Sequence, residues 1–356
     1  MLCVTDSGFT GAPVYVNQLE KILSEKYHTK VIVARNGALL KGEELHFDKE
    51  RIFRLSDLGA IIRSVRIIKL SKPEFIWLNS FKMSLIIRIG LLFSGRYKSR
   101  IIYTVHGLSF RPGKSLRNGL IKWCEWIFVR FVDHFVFLTD YDCSIFRSKV
   151  SENIKYSIIP NFSRIDSGDL LPLKSDGCRN YVMIARNETQ KDYYTLLNAF
   201  ALFSKGKEVS LHCVGRGTER LDMIIRELGL QSKVFLHGES DKVIEFLENA
   251  DVFVLSTHYE GMPLVILEAM SMGLPILATD VCGIGEFVAN SFGLLIKPNS
   301  EEDWEGALHN MYELNGNDFN EMRLNAFEQY QKNFSIKQFN ERVIQLIKEI
   351  SNNYYE

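Results

Sequence analysis

The sequence predicts an α/β chain built as two halves, each a parallel sheet covered by helices. Short apolar runs of the buried-strand kind recur at 2–5, 30–35, 75–79, 100–107, 181–186, 209–214 and 252–255. Stretches of helical period separate them, and strand–helix alternation is the pattern of a parallel sheet. The third observation is length, since 356 residues exceed one ordinary core and suit two domains.

Composition narrows the function classes. Basic and acidic residues balance at 43 each, so charge gives no reason to expect nucleic-acid binding. Cys3, Cys124, Cys143, Cys178, Cys213 and Cys282 are scattered without a C-x-x-C pair. That argues against a disulfide framework or structural zinc and fits a reducing compartment. No basic and apolar leader follows Met1, and no run of about 18 uninterrupted apolar residues exists. The expectation is a soluble, cytoplasmic protein.

In the first half, the strand at 2–5 leads through Asp6-Ser-Gly8-Phe-Thr-Gly11 into an amphipathic helix expected over 14–27. Glycines in such a loop let backbone N–H groups approach a phosphate, although many such turns only connect elements. The strand at 100–107 delivers His106 at its carboxyl end, followed by Gly107. There the imidazole N–H can bond a phosphate oxygen or a sugar hydroxyl, or merely local backbone. Residues 110–132 mix Arg111, Lys114, Arg117, Lys122 and Arg130 with Trp123, Trp126, Ile127, Phe128 and Phe131. One amphipathic helix of this composition can lie on an anionic membrane surface, or be a cover helix with snorkelling cations. The Asp140-Tyr-Asp142 pair follows the strand at 133–139 and reads as a helix start capped by Thr139 or Asp140 rather than a metal site.

The polar stretch 167–179 is the expected linker, between domains at 1–166 and 180–335. A last helix at 336–356 can cross back to the first domain. In the second half, Arg186 ends a strand and Lys191 follows five residues on, ahead of a helix expected over 193–203. A forked and a point cation on one loop suit a diphosphate, or are two surface charges. Gly215-Arg-Gly217 lacks the third glycine of a dinucleotide fingerprint.

The stretch 251–278 reads as strand, loop, helix, strand. Pro263 suits the first helical position and Gly273 the helix stop. Glu260 lies in the loop past a strand's carboxyl end, where open α/β sheets place ligands. Glu268 lies inside an apolar helix, where an ionised carboxylate is costly unless something bonds to it. With the free N–H groups of the first helical turn, the two carboxylates suggest a sugar–phosphate site. The other reading makes both of them solvated surface residues.

With these residues in view, the chain resembles the retaining glycosyltransferases of family 4. The most specific match is the pair Glu260 and Glu268 with Gly261, Met262, Pro263 and Leu264 between them. Arg186 with Lys191, the Gly8–Gly11 loop, His106-Gly107, Ile159-Pro-Asn161 and 283–286 follow in the family's order. The resemblance implies the GT-B fold, two Rossmann-like domains with parallel sheets facing across a cleft. It implies a nucleotide-sugar donor in the C-terminal domain and a glycan or lipid-linked acceptor at the N-terminal one. By the same resemblance Arg186 and Lys191 neutralise the diphosphate without a metal or other cofactor. Glu268 bonds the ribose, and Glu260 the donor sugar. Gly11, Gly215 and the backbone at Gly261, Met262, Pro263 and Leu264 line the donor, and His106 sits by the reacting sugar.

The chain departs from the family pattern at Gly11-Ala-Pro13, Ala185, Asp192, Cys282, Gly285 and Phe162. Donor identity and loop geometry depend on those positions, whereas every charged position just named is present. The expected activity is transfer with retention, in envelope polysaccharide or lipid-linked glycan synthesis, with peripheral contact at the inner face of the membrane through 110–132. The alternatives are a GT-B sugar-nucleotide epimerase or a non-catalytic sugar-nucleotide-binding subunit of the same fold.

Overall fold

A computed structural model describes residues 1–8, 11–47, 54, 57–94, 99–110, 116–166, 168, 170, 172 and 179–352. The first sheet comprises β1 (Leu2–Val4), β2 (Val31–Val33), β3 (Glu43–Glu44), β4 (Phe75–Leu78), β5 (Arg100–Val105), β6 (His134–Phe137) and β7 (Tyr156–Ile158). The second comprises β8 (Arg179–Ile184), β9 (Val209–Val214), β10 (Val234–Gly238), β11 (Val252–Leu255), β12 (Ile276–Thr279) and β13 (Gly293–Ile296). The orders are β3-β2-β1-β4-β5-β6-β7 and β10-β9-β8-β11-β12-β13, and every pairing is parallel. Central strands such as Val252–Leu255 and Ile276–Thr279 are buried along their whole length, the reason for their uninterrupted apolar runs.

The chain divides into two compact units, Met1–Pro160 with Asn340–Glu356, and Asn161–Phe339. The first boundary precedes the expected one at 166, because residues 161–165 are bonded into the second unit. Asn161 Nδ2 donates to Met262 O at 2.7 Å, Ser163 N to Phe334 O at 2.9 Å, and Tyr330 Oη to Ile165 O at 3.2 Å. Phe162, where the family pattern has glycine, packs on Phe339 at 4.5 Å between ring centroids. Of the expected linker, only residues 168, 170, 172 and 179 are described, and Arg179 already opens β8. The last helix, Ile336–Asn352, belongs to the first unit from Asn340 on, where Gln18 Nε2 donates to Asn340 Oδ1 at 2.9 Å.

The first helix spans Gly11–Ser24, starting three residues before the expected Val14. Pro13 sits in its first turn, where a missing N–H breaks no helical bond. Of the expected helix at 110–132, the described part runs Leu116–Phe128 and closes in a tight turn, Val129–Phe131. That turn redirects the chain into β6, where Asp133 exchanges bonds with the backbone of Ile101. Arg111 and Lys114 lie outside the described residues. Inside the unit, the fully buried Arg88 of helix Phe81–Ser94 donates from Nη1 to Glu125 Oε2 at 2.8 Å. Tyr103 Oη donates to the other Glu125 oxygen at 3.1 Å, so the buried charges are paired and bonded.

Candidate active site

In the second sheet the strand order reverses between β8 and β11. Open α/β sheets bind ligands at such a switch point, past the carboxyl ends of the strands. The loop 185–192 follows β8 and the loop 256–263 follows β11, and they are sewn together. Asp192 N donates to Ser256 O (3.2 Å), His258 N to Gln190 O (2.8 Å) and Gln190 Nε2 to Tyr259 O (2.6 Å). Lys191 Nζ thereby meets Glu260 Oε1, and Thr257 Oγ1 lies 3.1 Å from the same oxygen. Both charged side chains of that pair are largely shielded from solvent. Asp192, which replaces a glycine of the family pattern, is the N-cap of helix Tyr193–Phe203 and accepts from Thr195 N at 3.2 Å.

Arg186 stands exposed at the mouth of the loop, with Nη1 2.9 Å from Glu188 Oε1. Arg216 approaches the same carboxylate oxygen at 3.6 Å. Neither Glu188 nor Arg216 was legible as part of the site, because single surface charges carry no pattern. Gly215 sits at φ +143°, and a Cβ there would overlap the carbonyl oxygen of Ala185. Only glycine lets the two loops close at that point.

Helix Leu264–Ser271 begins after Pro263, which is its N-cap at φ −70° and ψ 125° rather than its first helical residue. Met262 is held by Asn161, which donates from Nδ2 to its carbonyl. Gly261 and Leu264 flank it, so the expected backbone segment lies beside Glu260 in one loop. Glu268 is fully buried. Arg164 Nε donates to its Oε1 at 2.5 Å, while Oε2 is buried with no hydrogen-bond partner among the described residues. Arg164 escaped the sequence reading because 104 residues separate it from its partner.

His106 and Gly11 belong to the first unit. Asn79 Nδ2 donates to Trp77 O at 3.2 Å, which turns Oδ1 towards His106 Nε2 at 3.3 Å. His106 therefore carries its proton on Nε2, and the buried Nδ1, with no hydrogen-bond partner among the described residues, is an acceptor. With the proton on Nε2, Nδ1 suits a hydroxyl donor. Burial pushes the imidazole down to about 3, so it is neutral at physiological pH. The edge of Tyr15 packs on its ring at 4.8 Å. Gly11 opens its helix with open space beside its Cα, whereas Phe9 and Thr10 lie outside the described residues. Asp140 and Asp142 occupy the first turn of helix Asp140–Lys149, where Asp142 N donates to the N-cap Thr139 at 3.2 Å. Among the described residues no three His, Cys, Asp or Glu side chains are grouped to hold a metal ion.

The family model described as "Glycosyl transferases group 1" matches residues 173–334, and that described as "Glycosyltransferase Family 4" matches 9–166. The chain belongs to the group 1 glycosyltransferases. Its fold is GT-B, shared with solved structures far apart in sequence. A HepE protein of Anabaena in complex with UDP and glucose superposes with a TM-score of 0.80 over 98% of both chains, at 16% identity. Sucrose-phosphate synthase of Thermosynechococcus elongatus gives 0.83 over 99% of this chain and 98% of its own, at 18% identity. Among sequence relatives is the Escherichia coli UDP-Gal:alpha-D-GlcNAc-diphosphoundecaprenol alpha-1,3-galactosyltransferase. It is 27% identical over 274 residues, 71% of this chain and 70% of its own. The E. coli O-antigen biosynthesis glycosyltransferase WbnH is 26% identical over 316 residues, 84% of this chain and 86% of its own. Among the described residues of this group 1 glycosyltransferase, no helix is long and apolar enough to cross a membrane.

Proposed function

We propose that this glycosyltransferase moves a hexose from a nucleoside-diphosphate sugar to a glycan or lipid-linked glycan, with retention at the anomeric carbon. The setting is cell-envelope polysaccharide assembly on the cytoplasmic side of the membrane, and no metal is required. The placing of Arg186 and the Lys191–Glu260 pair at the sheet's switch point carries this reading. The relatives named for UDP-Gal transfer and O-antigen biosynthesis support it, and the first favours uridine as the base.

Each cation now rests on a carboxylate that a diphosphate can replace. An incoming donor takes Lys191 from Glu260 and Arg186 from Glu188, exchanging one charged partner for another of greater charge. Glu260, released, accepts from hydroxyls of the donor sugar, and Glu268 accepts a ribose hydroxyl at Oε2. The first-turn N–H groups after Pro263 and the backbone at Gly215 face phosphate oxygens. His106 Nδ1 accepts a sugar hydroxyl. The bond from the anomeric carbon to the phosphate oxygen breaks as the acceptor oxygen bonds to the same face. The acceptor's proton passes to the leaving phosphate. The chain's contribution is charge stabilisation and positioning, with no protein nucleophile.

The test is a thermal-shift screen with UDP-, GDP-, ADP- and CMP-sugars without metal, repeated on Arg186→Ala. A UDP-sugar raises the melting midpoint of the wild type, by about 2.7 kcal/mol of stability at a hundredfold excess over Kd, and not that of the variant. No shift with any donor, together with no release of nucleoside diphosphate, would refute the donor site.

A further inference from the structure

The amino ends of β5, β6 and β7 enclose a cavity of about 450 Å³ within the first unit. That volume falls in the range of small-molecule sites, about 300–1,000 Å³. Open α/β sheets place the ligands of their main crevice past the carboxyl ends of the strands, so this cavity lies at the opposite end of the sheet. The whole of β5, six residues, separates Arg100 on its wall from His106, roughly 20 Å along the strand.

Three separate segments bring a cation to it. Arg100 opens β5, Arg130 belongs to the turn Val129–Phe131, and Lys155 immediately precedes β7. The one carboxylate on the wall, Asp133, accepts from Ile101 N at 2.8 Å. Glu349, beside the wall residue Ile350 of the last helix, accepts from Gln345 Nε2 at 2.9 Å and acts on His134. Even with Glu349 counted, the cations outnumber the carboxylates. Cations drawn together repel and cost stability unless an anion answers them. Ser151, Asn153 and His134 add hydrogen-bonding groups, and His134 is held by Ser157 Oγ 2.9 Å from its Nε2. Val132, Ile154 and Ile350 make the rest of the wall apolar. We propose that this cavity binds a small phosphate-bearing anion, with Arg130 and Lys155 on the phosphate and the apolar wall against its organic part. Because Ile350 belongs to the wall, a bound anion ties the end of the last helix to the strand starts. The site is separate from the loops 185–192 and 256–263, and its occupation does not depend on the transfer reaction.

Inorganic phosphate is the probe, compared with chloride at matched ionic strength, and amide hydrogen exchange of the full chain locates it. We expect phosphate to slow exchange at 129–134, 151–156 and 343–351 and to raise the melting midpoint, in the wild type and in Arg186→Ala alike. The double variant Arg130→Gln/Lys155→Gln is expected to bind phosphate at least about tenfold more weakly. Both side chains are exposed at the mouth of the cavity, so unchanged melting in chloride shows that this variant is folded. Protection confined to 185–192 and 256–263 would overturn the proposal and give the phosphate to the other site. Equal protection in the double variant, or the same effect from chloride, would also refute it.

Discussion

Arg164→Met tests whether the cation beside Glu268 is what allows a carboxylate to be buried in an apolar helix. Glu268 has no solvent access, its Oε1 rests on Arg164 at 2.5 Å and its Oε2 has no partner among the described residues. Removing one member of a buried ion pair costs about 3–5 kcal/mol, since the remaining charge is left uncompensated. Arg164 itself is 34% exposed, so solvent already shares in the screening, and about 2–3 kcal/mol is the appropriate figure. That lowers the melting midpoint of the second unit by on the order of 5–10 °C. Glu268→Gln removes the charge at nearly constant shape and leaves the midpoint within about 1 kcal/mol of the wild type, while donor affinity falls by roughly 1.5–3 kcal/mol. The double variant Arg164→Met/Glu268→Gln recovers most of the stability lost by Arg164→Met and none of the donor affinity. Urea denaturation of the four proteins gives the coupling energy, and calorimetric titration with the donor gives the affinity. Equal stability of Arg164→Met and the wild type would refute the reasoning, because the carboxylate would then be compensated by something other than Arg164.

Three further outcomes are expected. Gly215→Ala forces a side chain at φ +143° against the Ala185 carbonyl, and destabilises the second unit by about 2 kcal/mol or more, measured by urea midpoint. Turnover of the wild type survives EDTA, since Arg186 and Lys191 supply the positive charge; strict restoration by a divalent ion would refute that assignment. The His106 imidazole is held at about 3 against an ordinary value of 6.5. Between those pH values the unfolded chain binds a proton that the folded chain refuses, so stability is lost on acidification from 6.5 towards 3. The slope from this one group is at most about 1.4 kcal/mol per pH unit. His106→Gln flattens the denaturation-midpoint slope by that share; His134, His212 and His237, which burial shifts in the same direction, add to a slope of the same sign.

Local pattern alone sufficed for the α/β class, the two parallel sheets and the charged members of the loops 185–192 and 256–263. Those features are local: Val252–Leu255 is a strand because four consecutive apolar residues are buried on both faces, and Gly273 ends its helix at φ +67° because glycine tolerates that backbone. Even Glu268 was conspicuous, as a charge in an apolar helix. Helix Phe81–Ser94 was not placed, since it is apolar nearly all round and shows no period, with Arg88 hidden in it. Only the tertiary structure decided what pairs with what. Arg164 reaches Glu268 across 104 residues, Asn161 reaches Met262 across 101, and Asn79 sets the tautomer of His106 across 27. Such partners leave no mark in a linear pattern, because each pairing exists only once strands far apart in sequence lie side by side. The same holds for residues 116–128, whose composition allows a cover helix or a membrane face. The packing of Ile121 and Cys124 inward leaves Trp123 and Trp126 outward, and that choice is made by the neighbouring helix and not by the sequence of this one.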